Sequence, residues 1–458
     1  MIAIPPVKEV SRDSLKASLL DARARTHELL QGLDDEQLMG PRLAIVNPLR
    51  WEIGHVAWFH EYFILQQGFG RPPLTHDGHL LYDSIAIAHH ERWDLPLPPL
   101  QQTLDYLQRV EDALIGRLGA GTASALESYL YQFTVFHEDM HDEAFTWARQ
   151  TLAYPRPDFA LEAQLGPPAD AAGGALDGDV HITGGEFLVG AMGDAPFVFD
   201  NEKWAHAVTV RPFAMARAPV TNEAFRAFVD EGGYGRREFW TDEGWAWRQS
   251  VDATHPVYWQ RDGAGGWLQR QFDALAPLAP YHPVVHVNWY EASAWCRWAG
   301  RRLPREHEWE VAALGQPCAD GSQLAAVKRR YPWSNESGNN ESGSDGSHGG
   351  ETAAAGCNLD GRCVGCVDVG ALADGDSAFG CRQMLGNVWE WCHDPFTPYP
   401  GFVADAYKEY SQTLFGHTRV LRGGSWATRS RYITGLYRNF FGPSRNDIFA
   451  GFRTCALE

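Results

Sequence analysis

One stretch divides this chain. From Tyr154 to Val180 it reads YPRPDFALEAQLGPPADAAGGALDGDV, rich in Pro, Gly, Ala and Asp. That composition interrupts regular structure rather than building it, so residues 156–180 read as an interdomain linker. Before the linker, apolar residues recur at helical spacing. After it, short alternating runs such as VHITGGEFLVGA are mixed with Gly, Trp and turn residues. The expected fold class is α+β: a helical body at 1–155, then a body with little regular structure at 181–458. With 458 residues, 44% of them hydrophobic and 12% aromatic, each part has the means to bury its own core.

Four amphipathic runs precede the linker. Ser11 or Asp13 caps the first, which carries Leu15, Leu19, Leu20, His27, Leu29 and Leu30 at helical spacing. The second, LRWEIGHVAWFHEYFILQQGF, follows Asn47-Pro48; the third is LQQTLDYLQRVEDALIGRL and the fourth YLYQFTVFHEDMHDEAFTWARQ. Four helices of these lengths predict a four-helix bundle, whose inward side chains can build a metal site. In the fourth run, His137 and His141 lie on one helix face, one turn apart, so both imidazoles can reach one ion. His55, among Trp51, Trp58 and Phe59, is expected to point inward. A lone histidine there would be an ordinary core residue, but opposite an HxxxH pair it becomes a third ligand, with His60 as its substitute.

Two other readings stay open at this point. HEDMH also fits HExxH, the zinc-hydrolase pattern in which the Glu (here Glu138) is the general base. No HExxHxxGxxH extension follows it. The second alternative is a metal-free bundle fused to a binding module.

The formal charge of −19 repels nucleic acid and anionic membrane alike, so neither is an expected partner. No basic-then-apolar leader and no segment of spanning length is evident, and a cytoplasmic location is expected. All eight cysteines lie at 296 or beyond and are expected to be reduced thiols. Cys363-Val-Gly-Cys366, with Cys357 upstream, offers thiols to zinc but lacks a second pair at finger spacing. Residues 318–356, including SNESGNNESGSDGSHGG, are expected to form a mobile surface insertion.

The C-terminal part carries GGEFLVG, APVTNEAFRAFV, HPVVHVNWYEASAWCRWAGRRLPREHEWEVAA, MLGNVWEWCHD, VLRGGSW and AGFRTC, in that order. Together these strings resemble the formylglycine-generating-enzyme fold, a C-type-lectin-like domain, over most of residues 178–458. The helical part resembles a DinB-like bundle. The pairing resembles the non-haem iron sulfoxide synthases of ergothioneine and ovothiol biosynthesis and their selenoneine-synthase relatives. The resemblance implies Fe(II) on His55, His137 and His141, in a tunnel that admits O₂, hercynine and a sulfur or selenium donor. Neutral imidazoles suit Fe(II), and a facial three-histidine set leaves positions open. In formylglycine-generating enzymes, cysteines shortly after the GGS segment bind copper. GGSWATRSRYITGLYRNFF has none, so formylglycine generation is not implied.

Departures from the family pattern narrow the expectation. One type carries a tyrosine acid where Phe396 stands, and another carries tyrosines where Ile85 and Ala86 stand; Tyr82 and Tyr437 are the nearest substitutes as catalytic residue. Tyr399 matches a position lining the hercynine pocket. An Asn-Trp-Asp string becomes Asn439-Phe440-Phe441 here, so a trimethylammonium would rest on aromatic faces (Phe440, Phe441, Tyr399) through cation–π attraction. Met140 replaces a glutamine. AHHERWDLPLP and RNFFGPSRNDIFAGFRTC are most similar to the selenoneine-synthase branch, which implies a selenosugar donor, with cysteine or γ-glutamylcysteine as the alternative. Arg92, Arg438 and Arg445 are candidate donor-binding residues; surface arginines or structural ion pairs are the competing reading.

Overall fold

A computed structural model describes residues 5, 7–193, 197–333 and 356–457. The helical part runs α1 (Arg12–Leu30), α2 (Asp35–Met39), α3 (Leu49–His60), α4 (Gly78–Tyr82), α5 (Leu100–Leu118) and α6 (Ala125–Thr151). Ser11 caps α1, its Oγ accepting the Ser14 N–H at 3.1 Å. Ser124 and Glu127 cap α6 reciprocally. Pro48 stands immediately before α3, where its missing N–H costs nothing. Past His60, α3 continues as a π-helical turn over Glu61–Gly68. Gly68 permits that turn to press on α6, because a Cβ there would meet Leu130 Cδ1 at 2.5 Å. α6 packs on α1 and α3, and α3 also packs on α5, so the faces carrying His55 and the HxxxH pair meet.

The segment expected to be a linker contains a short helix, α7 (Ala160–Leu165), and is fastened at several points. Arg25 stacks 3.8 Å over the buried Phe159 ring. The Ala160 N–H donates to Glu28 at 3.1 Å, and the Val364 N–H donates to Glu162 at 3.0 Å.

Beyond it come β1 (Asp179–Ile182), β2 (Gly185–Val189), β3 (His206–Val210), β4 (Phe213–Ala216), α8 (Asn222–Asp230), α9 (Asp242–Ser250), β5 (Trp259–Arg261), β6 (Trp267–Gln271) and β7 (Ala274–Pro277). Then follow α10 (Trp289–Trp298), β8 (Arg301–Arg302), α11 (Glu306–Leu314), β9 (Trp389–Pro395), β10 (Arg419–Arg422), β11 (Asn439–Phe441), β12 (Ala450–Gly451) and β13 (Cys455–Ala456). Small sheets form in the orders β1-β4-β13-β8, β11-β10-β9-β12, β2-β3 and β5-β6-β7. Most of the chain between them is turn and loop, as the Gly and Trp content implied. Residues 334–355, on which most of the mobile-insertion expectation falls, lie outside the described residues.

The two parts meet along α6. Glu143 accepts from Trp389 Nε1 at 2.8 Å, Ser425 Oγ at 2.6 Å and Thr428 Oγ1 at 2.7 Å. Arg431 pairs with Asp139 at 3.0 Å, and both Arg429 and Arg431 pair with Asp21 on α1. The stretch GGSWATRSR is thus the seam that receives α6.

Candidate metal centre

His55 comes from α3, and His137 and His141 from α6; their ligand atoms lie within 4.8 Å of one another. Among the described residues this is the one grouping of His, Cys, Asp or Glu with metal-ligand spacing. Burial, then His141, holds His55 well below its ordinary pKa; burial, then His141 and His55, does the same to His137. Both therefore carry lone pairs at neutral pH. The Tyr82 carbonyl lies 2.8 Å from His55 Nδ1. A carbonyl only accepts, so Nδ1 bears the hydrogen and Nε2 is bare. His137 is stacked on Phe59 with ring centroids 3.5 Å apart and planes 3° apart. The buried Nδ1 atoms of His137 and His141 have no hydrogen-bond partner. Three imidazoles converging from two helices, with His55 and His137 held unprotonated, fit a divalent metal. The His141 side chain keeps 20% exposure, which leaves one side of the group accessible.

Glu138 turns elsewhere. Its oxygens lie 2.8 Å from His60 Nε2, 2.9 Å from Thr26 Oγ1 and 3.1 Å from Arg23 Nε. Burial alone would raise its pKa, but Arg23 and the His60 and Thr26 hydrogen bonds hold the carboxylate below the usual range. The general base required by the zinc-hydrolase reading is consumed in a structural ion pair. The same contact removes His60 from the ligand set.

The C-terminal candidates divide between two places. Phe396 is stacked on Phe440 at 4.2 Å, and Tyr410 meets Phe440 edge-on at 5.7 Å. Tyr410 and Tyr437 share a hydrogen bond of 2.9 Å, and the Tyr437 hydroxyl lies 3.7 Å from Met140 Sδ, beside the histidines. Phe396, Phe440, Tyr410, Tyr437 and Met140 therefore form one continuous line into the centre. Phe441 points the other way, because residues alternate faces along β11, and meets Trp147 of α6 at 5.7 Å. Asn439 caps its own strand, Oδ1 accepting the Phe440 N–H at 2.9 Å. Tyr399 lies under Arg438 at 3.9 Å.

The three arginines are already paired. Arg438 donates to both Glu306 oxygens, at 2.6 and 3.0 Å, and to the carbonyls of Asn201 and Thr397. Arg445 grips Asp447 with two hydrogen bonds of 2.6 and 2.7 Å. Arg92 donates to Asn47 Oδ1 at 2.7 Å and to the Ser84 carbonyl at 3.2 Å, with its flat face 3.9 Å over Trp51. Tyr82 contributes its carbonyl rather than its phenol: its ring rests on Gly54, where a Cβ would meet it at 2.1 Å.

Sequence reasoning missed Tyr407 and Tyr410. Tyr407 lies 5.3 Å from the Phe59 ring that stacks on His137. Nothing local marks that loop as adjacent to α3. Cys357, Cys363 and Cys366 form no metal-spaced group among the described residues, and burial pushes the Cys366 thiol up to about 12.

Two family models match this chain: the DinB superfamily over residues 18–145 and the sulfatase-modifying factor enzyme 1-like domain over 166–457. A hercynine oxygenase of Mycolicibacterium thermoresistibile is 36% identical, covering 99% of this chain and 95% of that protein. The chain belongs to the hercynine oxygenase family. Another member, from Mycobacterium tuberculosis, is 35% identical across 97% of this chain and 98% of its own length. A formylglycine-generating enzyme of Streptomyces coelicolor is 32% identical but covers only 61% of this chain. The hercynine oxygenases thus match both halves, including α3 and α6. Among the described residues no helix is long and apolar enough to cross a membrane.

Proposed function

We propose that this chain uses Fe(II) on His55, His137 and His141, together with O₂, to bond selenium or sulfur to the imidazole C2 of hercynine. A selenosugar is the preferred donor, and cysteine or γ-glutamylcysteine the alternative. One observation carries the reading: the three-histidine group sits beside Met140, which Tyr437 touches from the opposite half of the chain. Similarity over the full length to hercynine oxygenases supports hercynine as the acceptor. The donor rests on what is missing: Phe396 has no proton to give, Phe441 no carboxylate, and Met140 no amide.

Iron bound there would supply the one-electron chemistry that O₂ requires. The protein's own groups do the rest. Burial keeps His55 and His137 unprotonated and ready to ligate. Phe440, with Phe396 behind it, offers a face to the trimethylammonium. Tyr437, backed by Tyr410, is the proton donor in this reading, since its hydroxyl reaches Met140 beside His141 in the chain. Arg92 lies on the α3 side, where a donor's anionic or hydroxyl groups would approach; Arg438 and Arg445 hold the aromatic residues rather than the donor. The overall balance joins C2–H and Se–H or S–H with O₂ to give one water and one oxygen retained on the chalcogen. We place the catalytic bundle at 1–155, its connection at 156–180, the substrate-binding part at 181–458 and the reaction in the cytoplasm.

The test supplies Fe(II) protein and hercynine, then O₂ with selenosugar, thiosugar, cysteine or γ-glutamylcysteine, and identifies products by mass spectrometry. A selenium adduct of hercynine is expected. Turnover with cysteine and none with the selenosugar overturns the donor, and no hercynine adduct with any donor overturns the reaction.

A further inference from the structure

The three imidazoles are not held by the same device. His55 has the Tyr82 carbonyl behind it and His137 the Phe59 ring, while His141 faces a carboxylate. Glu52 Oε1 lies 3.6 Å from His141 Nδ1. Glu52 is itself 3% exposed, on α3 and three residues before His55, so it shares that histidine's face. Its position is fixed from behind: Asn47 Nδ2 donates to the same Oε1 at 2.8 Å, and Arg92 Nη1 donates to Asn47 Oδ1 at 2.7 Å. Arg92 is anchored in turn by the Ser84 carbonyl and the Trp51 face.

A carboxylate buried this deeply needs a donor or a positive charge close by. Asn47 supplies one hydrogen bond to Glu52. His141 Nδ1 is buried and has no hydrogen-bond partner. That nitrogen and Glu52 Oε1 face each other across 3.6 Å. A small rotation of the His141 ring about its χ angles brings them into hydrogen-bond range, and a metal on the opposite nitrogen would lock that rotation.

We infer that Glu52 is the positioning carboxylate of His141. It fixes the tautomer with hydrogen on Nδ1, presents Nε2 to the metal and strengthens that nitrogen as a ligand through its negative charge. Helix α3 therefore supplies one ligand directly, and orients the ligand opposite through Glu52. Asn47 and Arg92 hold Glu52 in place, so the loop carrying Arg92 is mechanically linked to the metal side of the site.

This rests on the three-histidine metal reading, and its test separates the two. Wild type, Glu52→Ala, Glu52→Gln and Glu52→Asp are loaded with Fe(II), and affinity is read by competition with a chelator. The visible spectrum of the Co(II) forms reports ligand geometry independently of turnover. Glu52→Ala is expected to bind iron about 10- to 100-fold more weakly. Glu52→Gln keeps an accepting oxygen without the charge and is expected to lie between Ala and wild type, with an altered Co(II) spectrum. Glu52→Asp recovers part of the affinity. Should the Ala variant fail to fold, the Gln variant decides, because it preserves volume and the Asn47 contact. Ala or Gln variants that bind iron within twofold of wild type, with unchanged Co(II) spectra, overturn the assignment of Glu52. A wild-type protein that binds no metal overturns the underlying histidine reading instead.

Discussion

The histidine group and the arginine core of the C-terminal half are both assemblies of buried polar side chains, yet they are built on opposite principles. Around Arg438 the charges are paired: Glu306 receives Arg438 and Arg422, and Glu310 receives Arg422 and Lys328. Around His137, the buried Nδ1 is left without a partner. Satisfied polar networks make a rigid frame, whereas unsatisfied ones at a fixed geometry await a ligand. The frame sets where Phe396, Tyr399 and Phe440 stand, and the open group supplies the chemistry. Arg438 therefore belongs to the frame.

Changes to each side should separate these roles. The largest effect on stability is expected from Glu306→Ala, which strands the buried Arg438 guanidinium and leaves Arg422 only Glu310; a loss of about 3–5 kcal/mol in denaturant unfolding is expected. A small loss there would make the arginine core an open site after all. Glu143→Ala should follow, at roughly 3 kcal/mol, because it removes three hydrogen bonds across the seam and leaves the Trp389, Ser425 and Thr428 donors buried. Limited proteolysis near residue 156 should then accelerate.

Gly54→Ala acts on both the frame and the centre. Its Cβ would stand 2.1 Å from the Tyr82 ring, so the ring must move, and the carbonyl holding His55 moves with it. A loss of about 2 kcal/mol is expected, with weaker iron binding in the same variant. Unchanged iron affinity would show that the Tyr82 carbonyl does not orient His55.

The smallest change is a pH slope. Burial pushes Asp200 up to about 6 from an ordinary 3.8, partly offset by the hydrogen bond from Ser411. Its folded pKa exceeds its unfolded one, so the native state binds more protons between those values. That contribution to stability is present below pH 3.8 and is lost as pH rises to about 6. Asp200→Asn should flatten this part of the stability–pH curve, and an unchanged slope would contradict the assignment.

How much of this was legible in the sequence follows the range of the interactions. Helical periodicity located the four long helices and HxxxH spacing paired His137 with His141, because those relations are local; His55 over His60 came from the family resemblance, and the structure groups it with the pair. Glu52 was also within reach: a carboxylate three residues before His55 in the otherwise apolar run WEIGHVAWF is a signal in itself. The HExxH alternative stayed open because a motif does not say which partners a side chain takes, and Arg23 and Thr26, which hold Glu138, lie on another helix. Phe440 and Phe441 were grouped into one aromatic cage, yet strand alternation sends them to opposite faces. Tyr407 and Tyr410 reach the centre only through the docking of the two halves, which leaves no local pattern. The same holds for Arg438, whose carboxylate partner is 132 positions away.

The central claim is that His55, His137 and His141 hold the metal around which both halves are arranged. The direct measurement is iron per chain after anaerobic loading and desalting, for wild type and for the triple His→Ala variant at these positions. The account predicts one iron per wild-type chain and none in the variant, with both proteins folded by circular dichroism. A triple variant that still retains one iron per chain would contradict it.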